Sequence, residues 1–224
     1  RDVDRLIEEG YYGLNVTIPL KEDAYKYCEN TSDVARTLKA VNTLIVNKDG
    51  VYGDNTDPIG FEKSIANRGL NNKLCLVLGA GGSARAVVYA LTHMKCKIGI
   101  YNRTKENAES LCSDLGVEAT ILTETTLREF VGSSQLVVNT TSLGQQEGEE
   151  NNLIDFDSLN SSAHVYDLIY NPSKTTFLTR AEKNGCTVQN GLEMLIHQAA
   201  QSFKLWHGTM PEIDEDLMSV LGVN

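Results

Sequence analysis

The sequence predicts an α/β fold, a doubly wound parallel sheet accompanied by a second, smaller α/β domain. Three observations lead there. From Lys73 onward, short apolar runs alternate with stretches of helical spacing, the pattern of repeated βαβ units. One of these runs, Leu74-Cys75-Leu76-Val77-Leu78, is apolar without alternation, as strands covered on both faces are. Directly after it, a glycine loop opens a helix of small and branched residues over 84–94.

The chain of 224 residues, 41% of them hydrophobic, is long enough to bury a sizeable core in one large domain or two small ones. Its 20 Lys and Arg against 30 Asp and Glu give a net charge of −10, which disfavours nucleic acid as a partner. No run approaches the roughly 18 apolar residues of a spanning helix. The start, Arg1-Asp2-Val3-Asp4, carries no apolar targeting core, so a soluble protein is expected. Cys28, Cys75, Cys96, Cys112 and Cys186 are scattered without a C-x-x-C pair. They point to a reducing compartment, the cytoplasm, or a plastid if a transit segment has been removed. His93, His164, His197 and His207 lack metal-ligand spacing, and no metal is expected. Arg1 begins inside what reads as an amphipathic helix (Val3, Leu6, Ile7), so residues upstream are expected to be missing.

Residues 13–19 read as a short strand stopped by Pro19, and 21–30 as a helix starting just past it, which leaves Lys21 at a strand-to-helix corner. Two strand-like runs, 39–47 and 51–53, flank the turn signal Lys48-Asp49-Gly50 and predict a hairpin. The polar cluster 53–58 breaks the second strand, helical spacing resumes over 61–67, and 68–72 is a connector. Beyond the glycine loop, strands are expected at 97–101, 136–139 and 164–168, and helices at 106–115, near Leu127 and at 176–184. Residues 147–152 form an acidic loop. From Gly191 a last helix sets Leu192, Leu195, Ala199, Phe203 and Trp206 on an apolar face interrupted by Gln198.

Gly79-Ala80-Gly81-Gly82-Ser83-Ala84 has the strand before it and the helix after it that a dinucleotide fingerprint requires, with Ala at the third position. The glycines let the backbone turn tightly against a pyrophosphate, and free N–H groups at the helix start receive its charge. The loop therefore predicts a Rossmann-like coenzyme domain. Where an NAD site offers a carboxylate to the ribose, the second strand instead runs into Asn102-Arg103-Thr104-Lys105. A cation and a hydroxyl pair with the additional phosphate of NADP, which makes NADP the expected cofactor. Without the loop beside it, the same tetrapeptide reads as an ordinary exposed basic turn.

With these motifs placed, the sequence resembles the shikimate dehydrogenases, NADP-dependent reductases of 3-dehydroshikimate in aromatic amino acid and chorismate biosynthesis. Asn15-Val16-Thr17-Ile18-Pro19-Leu20-Lys21 is similar to the family's N-V-T-x-P-x-K segment, Ala40-Val41-Asn42-Thr43 to its A-V-N-T strand, and Gly53-Asp54-Asn55-Thr56-Asp57 to its N-T-D corner. In the coenzyme half, Gly79 to Ala86, Asn102-Arg103-Thr104, Asn139 to Gly144, Tyr166 to Tyr170 and Gly191 to Gln198 follow in the family's order. The resemblance covers residues 13–208. It implies Lys21 and Asp57 as the catalytic pair, with Thr17, Asn42, Tyr170 and Gln198 contacting the substrate, shikimate or 3-dehydroshikimate. It also implies Asn102, Arg103, Thr104 and Lys105 around the NADP phosphate, and Thr140, Ser142 and Gly191 lining the rest of the coenzyme site with the glycine loop. Residues 1–56 and 191–224 would form the substrate domain and 57–190 the coenzyme domain. Monomer and homodimer both stay open.

Three departures stand out. Nothing before Asn15 matches the family's S-x-S element for the substrate carboxylate, so this chain is expected to bind NADP yet handle shikimate poorly. Asn107 stands where a second basic residue often follows N-R-T, and Gln145 where a methionine is common. Alternatives to shikimate dehydrogenase are a quinate or quinate/shikimate dehydrogenase, or a catalytically incapable NADP-binding protein. Taken alone, Lys21 reads as an exposed lysine, Asp57 before Pro58 as a helix cap, and Asn42 as an amide bonded to nearby backbone. Tyr170 alone reads as a packing residue.

Overall fold

The apolar run 74–78 becomes the middle of a six-stranded parallel sheet. The computed structural model describes residues 2–17, 19–146 and 149–221. Its strands are β1 (Gly13–Asn15), β2 (Asn30–Thr31), β3 (Thr43–Asn47), β4 (Gly50–Asp54), β5 (Leu74–Leu78), β6 (Lys97–Tyr101), β7 (Thr120–Ile121), β8 (Leu136–Asn139), β9 (His164–Asp167) and β10 (Thr187–Gln189). The helices are α1 (Asp2–Glu8), α2 (Lys21–Tyr27), α3 (Asp33–Leu38), α4 (Asp57–Ser64), α5 (Gly82–His93), α6 (Lys105–Leu115), α7 (Glu124–Ser133), α8 (Thr176–Lys183), α9 (Leu192–His207) and α10 (Glu215–Val220).

The large sheet has the order β10-β9-β8-β5-β6-β7 and is parallel throughout. Numbered from β5, that is the doubly wound arrangement in which the chain reverses direction between its first and fourth strands. Side chains of β5 alternate between two cores. Cys75 and Val77 pack with Val87, Leu91 and Leu111 on one face, and Leu76 and Leu78 with Val131, Phe177 and Leu178 on the other. Covering on both faces is why the run carries no polar alternation.

The smaller sheet has the order β1-β3-β4-β2 around Ala24, Ala35, Val41, Leu44 and Val51. The hairpin is as expected, with Asn47 opposite Gly50, but its first strand starts at Thr43 rather than Lys39. Lys39 instead takes a left-handed conformation that ends α3, a helix the sequence did not announce. The expected helix over 21–30 stops at Tyr27, because the chain turns at Cys28 to lay β2 parallel to β4. Only Gly13–Asn15 of the expected 13–19 strand is paired, and Ile18 lies outside the described residues. The helix expected at 61–67 begins four residues earlier, with Asp57 and Pro58 in its first turn, and ends at Ser64. Pro58 fits there because first-turn N–H groups have no helical partner. Arg1 and residues 147–148 of the acidic loop also lie outside the described residues. No helix of the described residues is long and apolar enough to cross a membrane.

Candidate active site

Four of the six substrate-side residues picked from sequence meet in one hydrogen-bonded cluster. Lys21 opens α2, Asn42 lies just before β3, Asp57 opens α4 and Gln198 sits in the second turn of α9. Lys21 Nζ lies 2.6 Å from Asp57 Oδ2, with the side chains 22% and 12% exposed, so both are sheltered yet reachable from one side. Asn42 donates through Nδ2 to Asp57 Oδ1 at 2.8 Å and to Gln198 Oε1 at 3.2 Å. Its Oδ1 accepts the Thr56 N–H at 2.9 Å, which fixes the amide orientation. Asn42 is 2% exposed, and these contacts satisfy an amide that would be costly to bury unpaired. Gln198 reaches the cluster because α4 and α9 cross closely at Gly60, where a Cβ would stand 2.8 Å from Gln198 Cβ and from the Met194 carbonyl.

Thr17 and Tyr170 stand apart. Both are exposed, Tyr170 at 49%, and among the described residues neither side chain hydrogen-bonds to the cluster. Sequence reading passed over Asn15, Thr43, Thr56 and Ser202, which tie the cluster together from behind. The first three were visible as members of the quoted motifs. The fourth gave only one signal, a polar residue one helical turn past Gln198.

At the other end of the site, Gly79 turns at φ +109 and packs against Thr140, whose hydroxyl donates to the Leu78 carbonyl at 2.7 Å. This joins the ends of β5 and β8 at the point where strand order reverses, the place such sheets keep for ligands. Ala84 is fully buried where α5 packs on the sheet. A Cβ added at Gly81 or Gly82 would meet nothing within 4 Å, so the first turn of α5 presents its N–H groups to open space. Beyond β6, Asn102 donates to the Thr104 carbonyl at 2.7 Å and shapes the turn. Arg103 is exposed, and Lys105 is held at 2.8 Å by Glu109. Arg85, in the first turn of α5, donates to the Leu38 carbonyl at 3.1 Å, bringing the glycine turn alongside the segment that leads to Asn42. Gly191 precedes α9 against the Leu168 carbonyl, and Ser142 is exposed on the loop after β8.

A doubly wound sheet with an open glycine turn at its switch point, tied by Arg85 to the segment that leads to a sheltered lysine–carboxylate pair, defines a two-part dinucleotide-dependent oxidoreductase. The model for the shikimate dehydrogenase substrate binding domain matches residues 1–44, that for shikimate / quinate 5-dehydrogenase residues 62–153, and that for the shikimate 5'-dehydrogenase C-terminal domain residues 191–221. The chain is 38% identical over 214 residues to the shikimate dehydrogenase (NADP(+)) of Caldicellulosiruptor saccharolyticus, which covers 93% of this chain and 77% of that protein. The shikimate dehydrogenase of Aquifex aeolicus superposes with a TM-score of 0.89 at 32% identity, over 98% of this chain and 80% of that one. The Thermus thermophilus enzyme, solved in complex with NADP(H) and shikimate, gives 0.83 at 32% identity over 96% and 80%. The chain belongs to the shikimate dehydrogenase family.

Proposed function

We propose that this protein catalyses the NADP-dependent, reversible reduction of 3-dehydroshikimate to shikimate, acting in the cytoplasm on the route to chorismate and the aromatic amino acids. The observation that carries this reading is the 2.6 Å contact of Lys21 with Asp57, fixed by Asn42 beside the glycine turn. We assign residues 1–56 and 191–224 to the substrate domain and 57–190 to the coenzyme domain, with the cleft between them holding both ligands. All five cysteines are free thiols, in keeping with a reducing compartment.

NADP fits the residues present: the space above Gly81 and Gly82 takes the pyrophosphate, and Arg103, with Asn102 and Thr104, takes the additional phosphate. Lys105 joins only by leaving Glu109. When bound there, NADPH would supply the hydride that reduces the carbonyl carbon. As the bond shifts, negative charge develops on the carbonyl oxygen, and the Lys21 ammonium neutralises it by giving up a proton. Asp57 holds Lys21 in place and accepts from a neighbouring substrate hydroxyl. Asn42 and Gln198 orient further hydroxyls, and Thr17 and Tyr170 reach the substrate from the exposed rim. In the oxidation direction Lys21 takes the hydroxyl proton.

Steady-state assays with shikimate and quinate, each with NADP+ and NAD+, test the reading. Turnover of shikimate with NADP+ at the highest kcat/KM of the four pairs is expected. Preference for quinate would move the protein to the quinate dehydrogenases, and NADP binding without turnover of either acid would make it a coenzyme-binding protein only.

A further inference from the structure

A buried hydroxyl behind the catalytic pair is left unused by that mechanism. Ser202, on α9, is 0% exposed. Its Oγ lies 2.7 Å from Thr43 Oγ1, 3.1 Å from Asn15 Nδ2, 3.2 Å from Thr56 Oγ1 and 3.1 Å from the Gln198 carbonyl. The donors follow from what each group can give and accept. Asn15 Nδ2 only donates, so Ser202 accepts there. Asn42 Oδ1 already faces the Thr56 N–H and receives the Thr43 hydroxyl at 2.8 Å. With the Thr43 proton committed to Asn42, Thr43 Oγ1 can only accept, and the single Ser202 proton is shared between Thr43 Oγ1, the nearer at 2.7 Å, and the Gln198 carbonyl at 3.1 Å. Asn42 Nδ2 then points at Asp57 Oδ1, 2.8 Å away. A one-way chain of donors therefore runs from Asn15 through Ser202, Thr43 and Asn42 to Asp57. Reversing the Asn42 amide would set NH2 against N–H at Thr56 and a carbonyl oxygen against the carboxylate, two repulsions at once.

We propose that Ser202 is a positioning residue for the Lys21–Asp57 pair: through Thr43 it locks the Asn42 carboxamide in the orientation that aims its N–H at Asp57. The proposal rests on the reading of Lys21 and Asp57 as the catalytic pair. It makes the last long helix part of the machinery by a second route besides Gln198, one that touches no substrate.

The test compares Ser202→Ala, Thr43→Val and the double variant in the full chain. Kinetics of shikimate oxidation are read beside NADP affinity and the side-chain amide resonances of Asn42 in a 15N–1H spectrum. Ser202→Ala should lower kcat about 3- to 10-fold, the weight of one hydrogen bond, with KM and NADP affinity changed less than about twofold. Because the two hydroxyls act in series, the double variant should be no slower than Thr43→Val alone. Ser202→Thr keeps a hydroxyl able to donate to Thr43 Oγ1, and should restore most of kcat. The Asn42 amide resonances should move in the same direction in Ser202→Ala and Thr43→Val and stay in place in Ser202→Thr. Should Ser202→Ala fail to fold, Ser202→Cys keeps the volume with a weak donor and gives the same readouts. Losses that multiply in the double variant, or an unmoved Asn42 amide, overturn the proposal. Absence of shikimate turnover in the unsubstituted protein overturns the functional reading instead, and the amide resonances still decide whether Ser202 positions Asn42.

Discussion

Lys21 Nζ and Asp57 Oδ2 lie 2.6 Å apart although 36 positions separate the two residues in sequence. Each opens a helix, Lys21 that of α2 and Asp57 that of α4, so both side chains are anchored by regular backbone rather than carried on loops. The Lys21 carbonyl also accepts from Val41 N at 2.9 Å, tying the start of α2 to the residue before Asn42.

If this contact carries the proton, Lys21→Ala should lower kcat by about 10²–10⁴-fold with little change in KM. Lys21→Arg should not restore it, since a guanidinium scarcely gives up its proton. Asp57→Asn should show a similar loss in kcat if the carboxylate is needed to hold the ammonium, and mainly a raised KM if it only binds a hydroxyl. NADP affinity, measured by titration, should survive all three changes. Near-normal kcat in Lys21→Ala would remove Lys21 from the mechanism.

Arg103 is predicted to carry the choice of coenzyme, because it is exposed on the turn after β6 while Lys105 is engaged by Glu109. Arg103→Ala should weaken NADP by about 1.5–3 kcal/mol, the range for a hydrogen bond to a charged group, and leave NAD nearly unchanged. Lys105→Ala should have the smaller effect. Calorimetric titration with both coenzymes checks this, and equal affinities of the unsubstituted protein for NADP and NAD would sink it.

Two glycines should separate packing from coenzyme binding. A Cβ at Gly191 would stand 2.0 Å from the Leu168 carbonyl oxygen, so Gly191→Ala must displace the start of α9 and should destabilise the fold by about 1–3 kcal/mol. A Cβ at Gly81 meets nothing within 4 Å, and Gly81→Ala should leave thermal stability unchanged or slightly raised. NADP affinity should nonetheless fall in Gly81→Ala, since the added methyl occupies the space proposed for the pyrophosphate. Unaltered NADP binding in that variant would place the phosphates elsewhere.

Two buried groups on β9 should oppose each other in acid. Burial pushes His164 down to about 4, with the Arg68 charge adding to it, while its ring nitrogens bond Thr187 at 3.0 Å and Gln189 at 2.8 Å. Burial lifts Asp167 to about 6, against the pull of hydrogen bonds from Thr175, Ile169 and Asn139. Between the folded value of about 4 and the ordinary histidine value near 6.5, the unfolded chain binds more protons at His164, so its contribution to stability falls as pH drops. For Asp167, between the ordinary 3.8 and about 6, the folded chain binds more protons, so its contribution to stability rises as pH drops. Each effect is worth about 3 kcal/mol across its window and they nearly cancel. Relative to the unsubstituted protein, Asp167→Asn should therefore lose stability between pH 6 and 4, and His164→Gln should gain it. Urea unfolding at several pH values measures both, and parallel pH profiles for the three proteins would show that neither group titrates as stated.

The parallel sheet and its switch point were legible in the sequence alone, whereas the proposed catalytic pair was legible only through the family resemblance. The signals of the sheet and the switch point are local: a strand buried on both faces cannot hide its apolar run, and a tight turn against a phosphate cannot dispense with glycine. Lys21, Asn42, Asp57 and Gln198 carry no such local signal and were picked out only by the resemblance of the motifs that contain them. Helix limits and the shortest strands were decided by tertiary structure. β2 and β7 are two residues long and β10 three, too short for any periodicity, and exist only because a longer neighbour offers its edge. The same holds for the partners that fix the site. Asn42 meets Gln198 across 156 positions and Thr43 meets Ser202 across 159, and only the packing of α9 against both α4 and the small sheet, where Trp206 donates to the Leu44 carbonyl, brings them within hydrogen-bonding reach. Lys105 likewise looked available for a phosphate until the helix that it opens placed Glu109 one turn away, where opposite charges on an exposed face attract.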